Sequence, residues 1–393
     1  MSDRTASKVT HPRLVELILA LGGFGIGTSE FAIMGLVNRV AHDLQVPIPD
    51  VGYAISSYAL GVVVGAPLIA ALAARIPRRG LLIGLMLLFA IGNLASALAP
   101  SFGSFVLLRF MAGLPHGAYF GVAALVAAAA VPIDQRARAV GRVMLGLSTA
   151  NLIGAPLATW GGNLFGWQVA FAGVGIVALL TALLIRLVVP AQAIDANASP
   201  KREFTALIKP RVLFTLGVGC IGFGGMFAVF SYVIPTLTEQ ADMREALGPL
   251  VLAVFGVGTM LGNVIGARLA DRNLLRAIST ILIWCLIVQG LFYFAANSLW
   301  LGIFFVGLVG TSVALGPALQ TRLMDVAEDA QTMAASLNHA AFNGANAIGA
   351  ALAGVTVKLG FAWSTTGLVG AALAAGGLVI FYIGLRVERC NQM

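Results

Sequence analysis

Two charges stand where this 393-residue chain is otherwise apolar: Glu30, in the run Gly22–Leu36, and Arg109, in the run that opens at Gly103. A charge in hydrocarbon is costly, so such residues turn to a protein interior or a wet cavity and mark ion or substrate pathways. Glu30 can take up and release a proton. Arg109 can pair with a carboxylate through its planar fork. Glu30 lies eight residues before Asn38, about 12 Å of helix rise, and Arg109 six residues past Gly103, about 9 Å. Counted from one surface, these depths allow an ion pair, either switching with each proton or permanently fixing the packing. Helical phase puts Gly23, Gly27, Glu30 and Met34 on one face, and Arg109, Gly113, His116 and Phe120 on another. His116 is a second proton-carrier candidate, since imidazole titrates near neutral pH, and a neutral hydrogen-bonded histidine is the alternative. Glu30 could also reach the surface by snorkelling.

The elements that must position these groups follow from composition. The chain is 59% hydrophobic and 10% charged, with mean hydropathy +0.94, whereas soluble domains carry about 25% charge. Twelve apolar runs have the length that spans a bilayer: 14–37, 51–73, 80–99, 103–130, 140–161, 168–189, 211–237, 248–270, 275–296, 298–320, 331–356 and 363–386. An all-α membrane protein is expected, surrounded by lipid, with the first run retained rather than cleaved as a signal. Pro67, Pro115, Pro156, Pro235 and Pro317 lie in or beside runs and lack a backbone donor, so bends are expected there.

The net charge of +8 would suit nucleic acid in a soluble chain. Its distribution argues otherwise. With both termini cytoplasmic, twenty of the 24 Lys and Arg fall in the tails and even-numbered connections, which is the positive-inside pattern. No nucleic-acid partner is expected, and the predicted location is a cell (inner) membrane. Cys220, Cys285 and Cys390 have no disulfide or metal-ligand spacing. No HExxH helix, GxSxG elbow or P-loop occurs, so no enzyme activity, metal or cofactor is expected.

The chain repeats itself. Gly61-Val62-Val63-Val64-Gly65 with Leu72-Ala73-Ala74-Arg75 aligns with Gly258-Thr259-Met260-Leu261-Gly262 and Leu269-Ala270-Asp271-Arg272 at an offset of 197. Asn151-Leu152-Ile153-Gly154 aligns with Asn346-Ala347-Ile348-Gly349 at 195. Two six-helix bundles in parallel orientation follow, over residues 1–190 and 211–393, joined by a polar linker at 191–210. Small residues four apart, as at Gly61/Gly65, Gly113/Gly117 and Gly258/Gly262, serve close helix packing.

Three stretches carry a resemblance to a known family: Gly27-Thr28-Ser29-Glu30-Phe31-Ala32-Ile33-Met34-Gly35-Leu36, Arg109-Phe110-Met111-Ala112-Gly113-Leu114-Pro115-His116-Gly117, and Asn151-Leu152-Ile153-Gly154-Ala155-Pro156-Leu157. The chain resembles a twelve-span major facilitator superfamily transporter of the drug:proton antiporter group, like the arabinose-efflux and chloramphenicol-resistance permeases. The resemblance implies export of small organic molecules in exchange for protons by alternating access, with a monomer as the working unit. A sugar or nucleoside importer or facilitator of the same fold is the alternative, and a membrane-embedded enzyme or sensor a remote one. It implies cavity roles for Tyr119, Tyr232 and Asn343, a gating loop at Arg75, Arg78 and Arg79, and a second copy at Asp271 and Arg272. The first gating loop lacks its usual acid, at Ala74, and its glycine, leaving Asp271-Arg272 to supply that contact. In the antiporter signature, Gly154 and Pro156 are separated by Ala155 where the general form has them adjacent.

Overall fold

The computed structural model describes residues 11–73, 76–132, 135–190, 209–327 and 331–390. Arg75 and most of the linker, 191–208, lie outside the described residues. Twelve helices are long and apolar enough to cross a membrane, and no strand occurs among the described residues. Helices dominate because hydrocarbon offers backbone N–H and C=O groups no partner, so each segment must satisfy its own. In chain order they are α1 (Pro12–Gly35), α2 (Val51–Ala73), α3 (Arg78–Ala97), α4 (Phe102–Ala129), α5 (Arg136–Thr149 and Ala155–Phe165) and α6 (Trp167–Val188). In the second half, α7 runs through Pro210–Gly217, Gly224–Phe230 and Val233–Ala241, followed by α8 (Gly248–Arg272) and α9 (Leu274–Ala295). Next come α10 (Leu299–Gly310 and Leu315–Ala327), α11 (Gln331–Lys358) and α12 (Thr365–Cys390).

The repeat is visible in the packing. A Cβ added at Gly61 of α2 would lie 2.2 Å from the Phe110 carbonyl oxygen and 3.2 Å from the Gly113 Cα of α4. One added at Gly258 of α8 would lie 2.0 Å from the Gly307 carbonyl oxygen and 3.2 Å from the Gly310 Cα of α10. Both pairs are related by the 197-residue offset read in the sequence. The same backbone crossing is therefore built twice, and side-chain-free contact is what permits it. Gly61→Leu is expected to drive α2 from α4 and cost at least about 1–3 kcal/mol, read as a lower midpoint of thermal unfolding in detergent.

Prolines divide into two groups. Pro156 begins the second part of α5 directly after a π turn, Ala150–Gly154, and Pro317 follows a 3-10 turn, Thr311–Ala314, in α10. Pro235 follows the break in α7 at Ser231–Tyr232. Pro67 and Pro115 instead lie inside uninterrupted helices, where neighbouring helices tolerate the missing donor. Between α5 and α6 a single residue reverses the chain, Gly166 at φ +99°, a conformation open to glycine without a Cβ penalty.

The two bundles touch along a line that is closed at one end. An even number of spans places the start of α1 and the end of α12 on the same side, and the closed end is the opposite one. There the Tyr232 hydroxyl donates to the Pro49 carbonyl at 2.9 Å, Asn38 donates to Glu245 at 2.7 Å, and Lys358 pairs with Asp50 at 2.5 Å. One layer deeper, Phe31 of α1 meets Phe230 of α7, and Phe230 stacks on Phe255 of α8. Ser56 of α2 donates to the Ala347 carbonyl of α11. The last cross-bundle ring contacts are those of His339 in α11 with Phe120 and His116 in α4. Beyond them, towards the termini, the ion pairs Glu16–Arg142 and Arg322–Glu388 each lie within one bundle.

Candidate functional site: a buried acid at the bundle interface

Arg109 is fully buried, and its fork closes on the residue before the expected partner. It donates to the Ser29 hydroxyl at 2.8 Å, to the Ser29 backbone carbonyl at 3.0 Å and, more weakly, to Asn93 Oδ1 at 3.5 Å. Ser29 in turn donates to Asn93 at 2.6 Å. The guanidinium lies over the Tyr58 ring at 4.3 Å and the Phe171 ring at 4.9 Å, where the ring faces offset its charge. Arg109 thus clamps α1, α3 and α4 together inside the first bundle.

Glu30 points elsewhere. Its carboxylate accepts from Asn346 Nδ2 of α11 at 3.3 Å, across the bundle interface. No ion pair joins Glu30 to Arg109 among the described residues, which corrects the pair expected from depth. The level was right, since Ser29 meets Arg109. The azimuth differs, because successive residues on a helix are turned by about 100°. Ser29 faces α3 and α4, and Glu30 faces α11.

The remaining candidates separate in the same way. His116 is buried and shares a hydrogen bond of 3.1 Å with the Tyr58 hydroxyl, while its ring lies 6.5 Å from that of His339 on the other bundle. Tyr119 is buried inside the first bundle, its hydroxyl donating to the Leu19 carbonyl at 2.8 Å, so it pegs α4 to α1 and does not line the interface. Tyr232 belongs to the closed end rather than to mid-membrane. Asn343 sits one turn from Asn346, buried, its Nδ2 donating to the His339 carbonyl at 3.0 Å. Gly154 is where α5 meets α1: a Cβ there would lie 2.1 Å from the Thr28 hydroxyl. Pro156, two residues on, follows the π turn, and together they shape α5 rather than contact a ligand.

Among the described gating-loop candidates, Arg78, Arg79, Asp271 and Arg272, no ion pair forms. Arg79 donates to the Arg186 carbonyl within the first bundle, and Arg78 is half-buried at the start of α3. Asp271 and Arg272 are exposed at the end of α8, with no ion pair among the described residues. Two ion pairs not anticipated from sequence hold the end nearer the termini within each bundle: Glu16–Arg142 between α1 and α5 at 2.6 Å, and Arg322–Glu388 between α10 and α12 at 2.5 Å. Among the described residues no group of His, Cys, Asp and Glu has a metal-site arrangement.

Sequence reasoning missed Ser29, and it named Asn346 only as one of several polar groups able to meet a ligand, without pairing it to Glu30. Ser29 gave no signal beside a carboxylate. Asn346 did carry one, since the repeat aligns it with Asn151, and both are buried with an unpartnered Oδ1.

A twelve-helix, twice-repeated bundle with a buried acid at its interface has relatives throughout its length. The sequence profile of the Major Facilitator Superfamily matches residues 19–328. This chain belongs to that superfamily. The similar proteins include the inner membrane transport protein YdhP of Escherichia coli strain K12, 36% identical over 97% of both chains. A chloramphenicol resistance protein of Streptomyces lividans is 34% identical over 92% of both. Among solved structures, a bacterial homolog of the human lysosomal transporter Spinster, in an inward-facing and occupied conformation, superposes with TM-score 0.72. It covers 95% of this chain and 96% of its own, and at 17% identity the likeness is one of fold. The protein is accordingly a multi-pass membrane transporter of the facilitator superfamily.

The closed end of this transporter is held by groups near water. Lys358 and Asp50 have side chains 39% and 21% exposed, and exposed ion pairs add little. Asp50→Ala is expected to change the transport rate less than about threefold, because Phe31, Phe230 and Phe255 seal the same end without it. Initial rates in vesicles, compared with the unsubstituted protein, test this.

Proposed function

We propose that this protein is a proton-coupled exporter of small organic molecules, working by alternating access with Glu30 as the proton carrier. The carrying observation is the Glu30–Asn346 hydrogen bond, an acid of one bundle read by an amide of the other. A charged carboxylate accepts more strongly than a neutral one. The ionised form therefore favours the state in which α1 and α11 meet, and protonation releases that hold. Antiport requires just such a rule, because an empty, deprotonated carrier must not cross.

The positive-inside distribution of Lys and Arg supports cytoplasmic termini, which makes the closed end the outer one and this state inward-facing. In the cycle proposed, Glu30 loses its proton to the cytoplasm here and the ionised, empty carrier stays held; substrate entering between the bundles then displaces the Glu30–Asn346 contact, and only the loaded carrier rocks to open outside. Glu30 is then protonated from the outer side and the carrier returns. The bundle division at the 191–210 linker supplies the two rigid bodies. Export is also the reading favoured by the chloramphenicol resistance relative.

Everted vesicles containing the protein test the reading. With an imposed acid-inside gradient, they should accumulate substrate and lose the gradient when substrate is added. A facilitator would do neither.

A further inference from the structure

Asn343 and Asn346 share one face of α11 and leave one acceptor each without a donor. Both residues are almost wholly buried, 4% and 1% exposed, and both Oδ1 atoms lack a hydrogen-bond partner. Their amide orientations are fixed by chemistry. Asn343 Nδ2 meets a backbone carbonyl, which cannot donate, and Asn346 Nδ2 meets Glu30, which cannot donate in the ionised form that the proposed cycle gives this state. The unsatisfied atom is therefore the oxygen in each case. A buried acceptor without a donor costs about 1–3 kcal/mol, and here two occur within one helical turn, beside the acid that couples the bundles.

Among the described residues no donor reaches either oxygen. Glu30 adds a further acceptor, and Arg109 is committed to Ser29 and Asn93 inside the first bundle. On the side of the termini, the stacked rings of Phe120 and His339 bound the same face, their centroids 5.2 Å apart. The site is thus rich in acceptors along α11 with an aromatic floor.

We propose that Asn343 and Asn346 are the specificity-determining residues for the transported molecule, and that they select ligands presenting at least two hydrogen-bond donors. Hydroxyl and ammonium groups share this chemistry. Ethers, esters and donor-free cations meet acceptor against acceptor and are rejected, because a site with unpaired polar groups discriminates most strongly against ligands that cannot pair them. This rests on the transport reading above, and deepens it by naming the ligand chemistry.

Binding to the purified full-length protein, followed by tryptophan fluorescence, tests it with three pairs of probes. L-Arabinose is set against its fully O-methylated form, chloramphenicol against its diacetate, and spermidine against tetraphenylphosphonium. At least one donor-bearing member should bind, at least about tenfold more tightly than its counterpart. The first two pairs report hydroxyl donors and the third ammonium donors. Asn343→Leu and Asn346→Leu should each weaken that ligand about tenfold, and Asn343→Gln, which keeps both the amide acceptor and the amide donor, should stay within about threefold of the unsubstituted protein. Thermal unfolding identifies any variant that has not folded, and the Gln variant then decides the matter. Equal binding of the two members of a pair, unchanged affinity in the Leu variants, or no binding by any probe with two or more donors overturns the inference. Vesicle flux separates the two proposals. A probe bound with this selectivity but never accumulated sinks the exporter reading alone, and a probe accumulated without this selectivity sinks the inference alone.

Discussion

Everted vesicles carrying Glu30→Gln are expected to lose concentrative, proton-driven accumulation by roughly 100-fold or more while keeping downhill exchange of substrate. Glutamine preserves the shape of the side chain and can still accept from Asn346 through its amide oxygen, so packing at the interface survives. What disappears is the exchangeable proton and the difference between a charged and a neutral acceptor. The two bundles are then held by the same weak bond in every state, and the empty carrier crosses without a proton. Substrate-induced loss of an acid-inside gradient is the measurement. An unchanged loss in Glu30→Gln would move the proton to another group at the interface, and the imidazoles of His116 and His339 are the ones that lie there.

Arg109→Ala is expected to act on stability before it acts on transport. Removing the guanidinium takes the second donor from the Ser29 carbonyl and deprives the Ser29–Asn93 pair of its third member, all in a fully buried layer. It also empties the space between the Tyr58 and Phe171 rings. Hydrogen bonds to a charged group are worth about 1.5–3 kcal/mol each, so a loss of roughly 3–5 kcal/mol is expected. Arg109→Lys should recover little of it. A compact ammonium cannot reach a hydroxyl and a carbonyl with parallel donors while lying flat against two rings. Thermal unfolding in detergent reads this directly. A double-mutant cycle separates the clamp from the ion pair: Arg109 should couple more strongly to Ser29→Ala than to Glu30→Gln. The reverse order would restore the Glu30–Arg109 pair as the working unit.

These two residues show how far one dimension carries. Apolar run lengths alone located the twelve spans, because the hydrocarbon thickness and the helix rise per residue leave a narrow choice of length. The 197-residue offset foretold that α2 meets α4 as α8 meets α10, and Gly61 and Gly258 make the same contact in each. The family was legible too, in the stretches around Glu30, Arg109 and Asn151. Buried polar residues could be named, since a carboxylate or guanidinium among leucines is conspicuous whatever the fold.

Partners were decided only by the tertiary structure. Depth along a helix follows from counting residues, but the direction a side chain takes depends on the rotation and tilt of the whole helix, set by every neighbour it packs against. A single residue of register, about 100° of turn, separates a Glu30–Arg109 salt bridge from the observed arrangement, in which Ser29 takes the arginine and Asn346 takes the acid. Tyr119 and Tyr232 illustrate the same limit, one spent inside a bundle and the other at the closed end. The sequence by itself determined which groups had to be hidden from lipid; the packing of the two bundles against each other decided which of them meet, because only there do helices 316 residues apart in the chain, as Glu30 and Asn346 are, come within hydrogen-bonding distance.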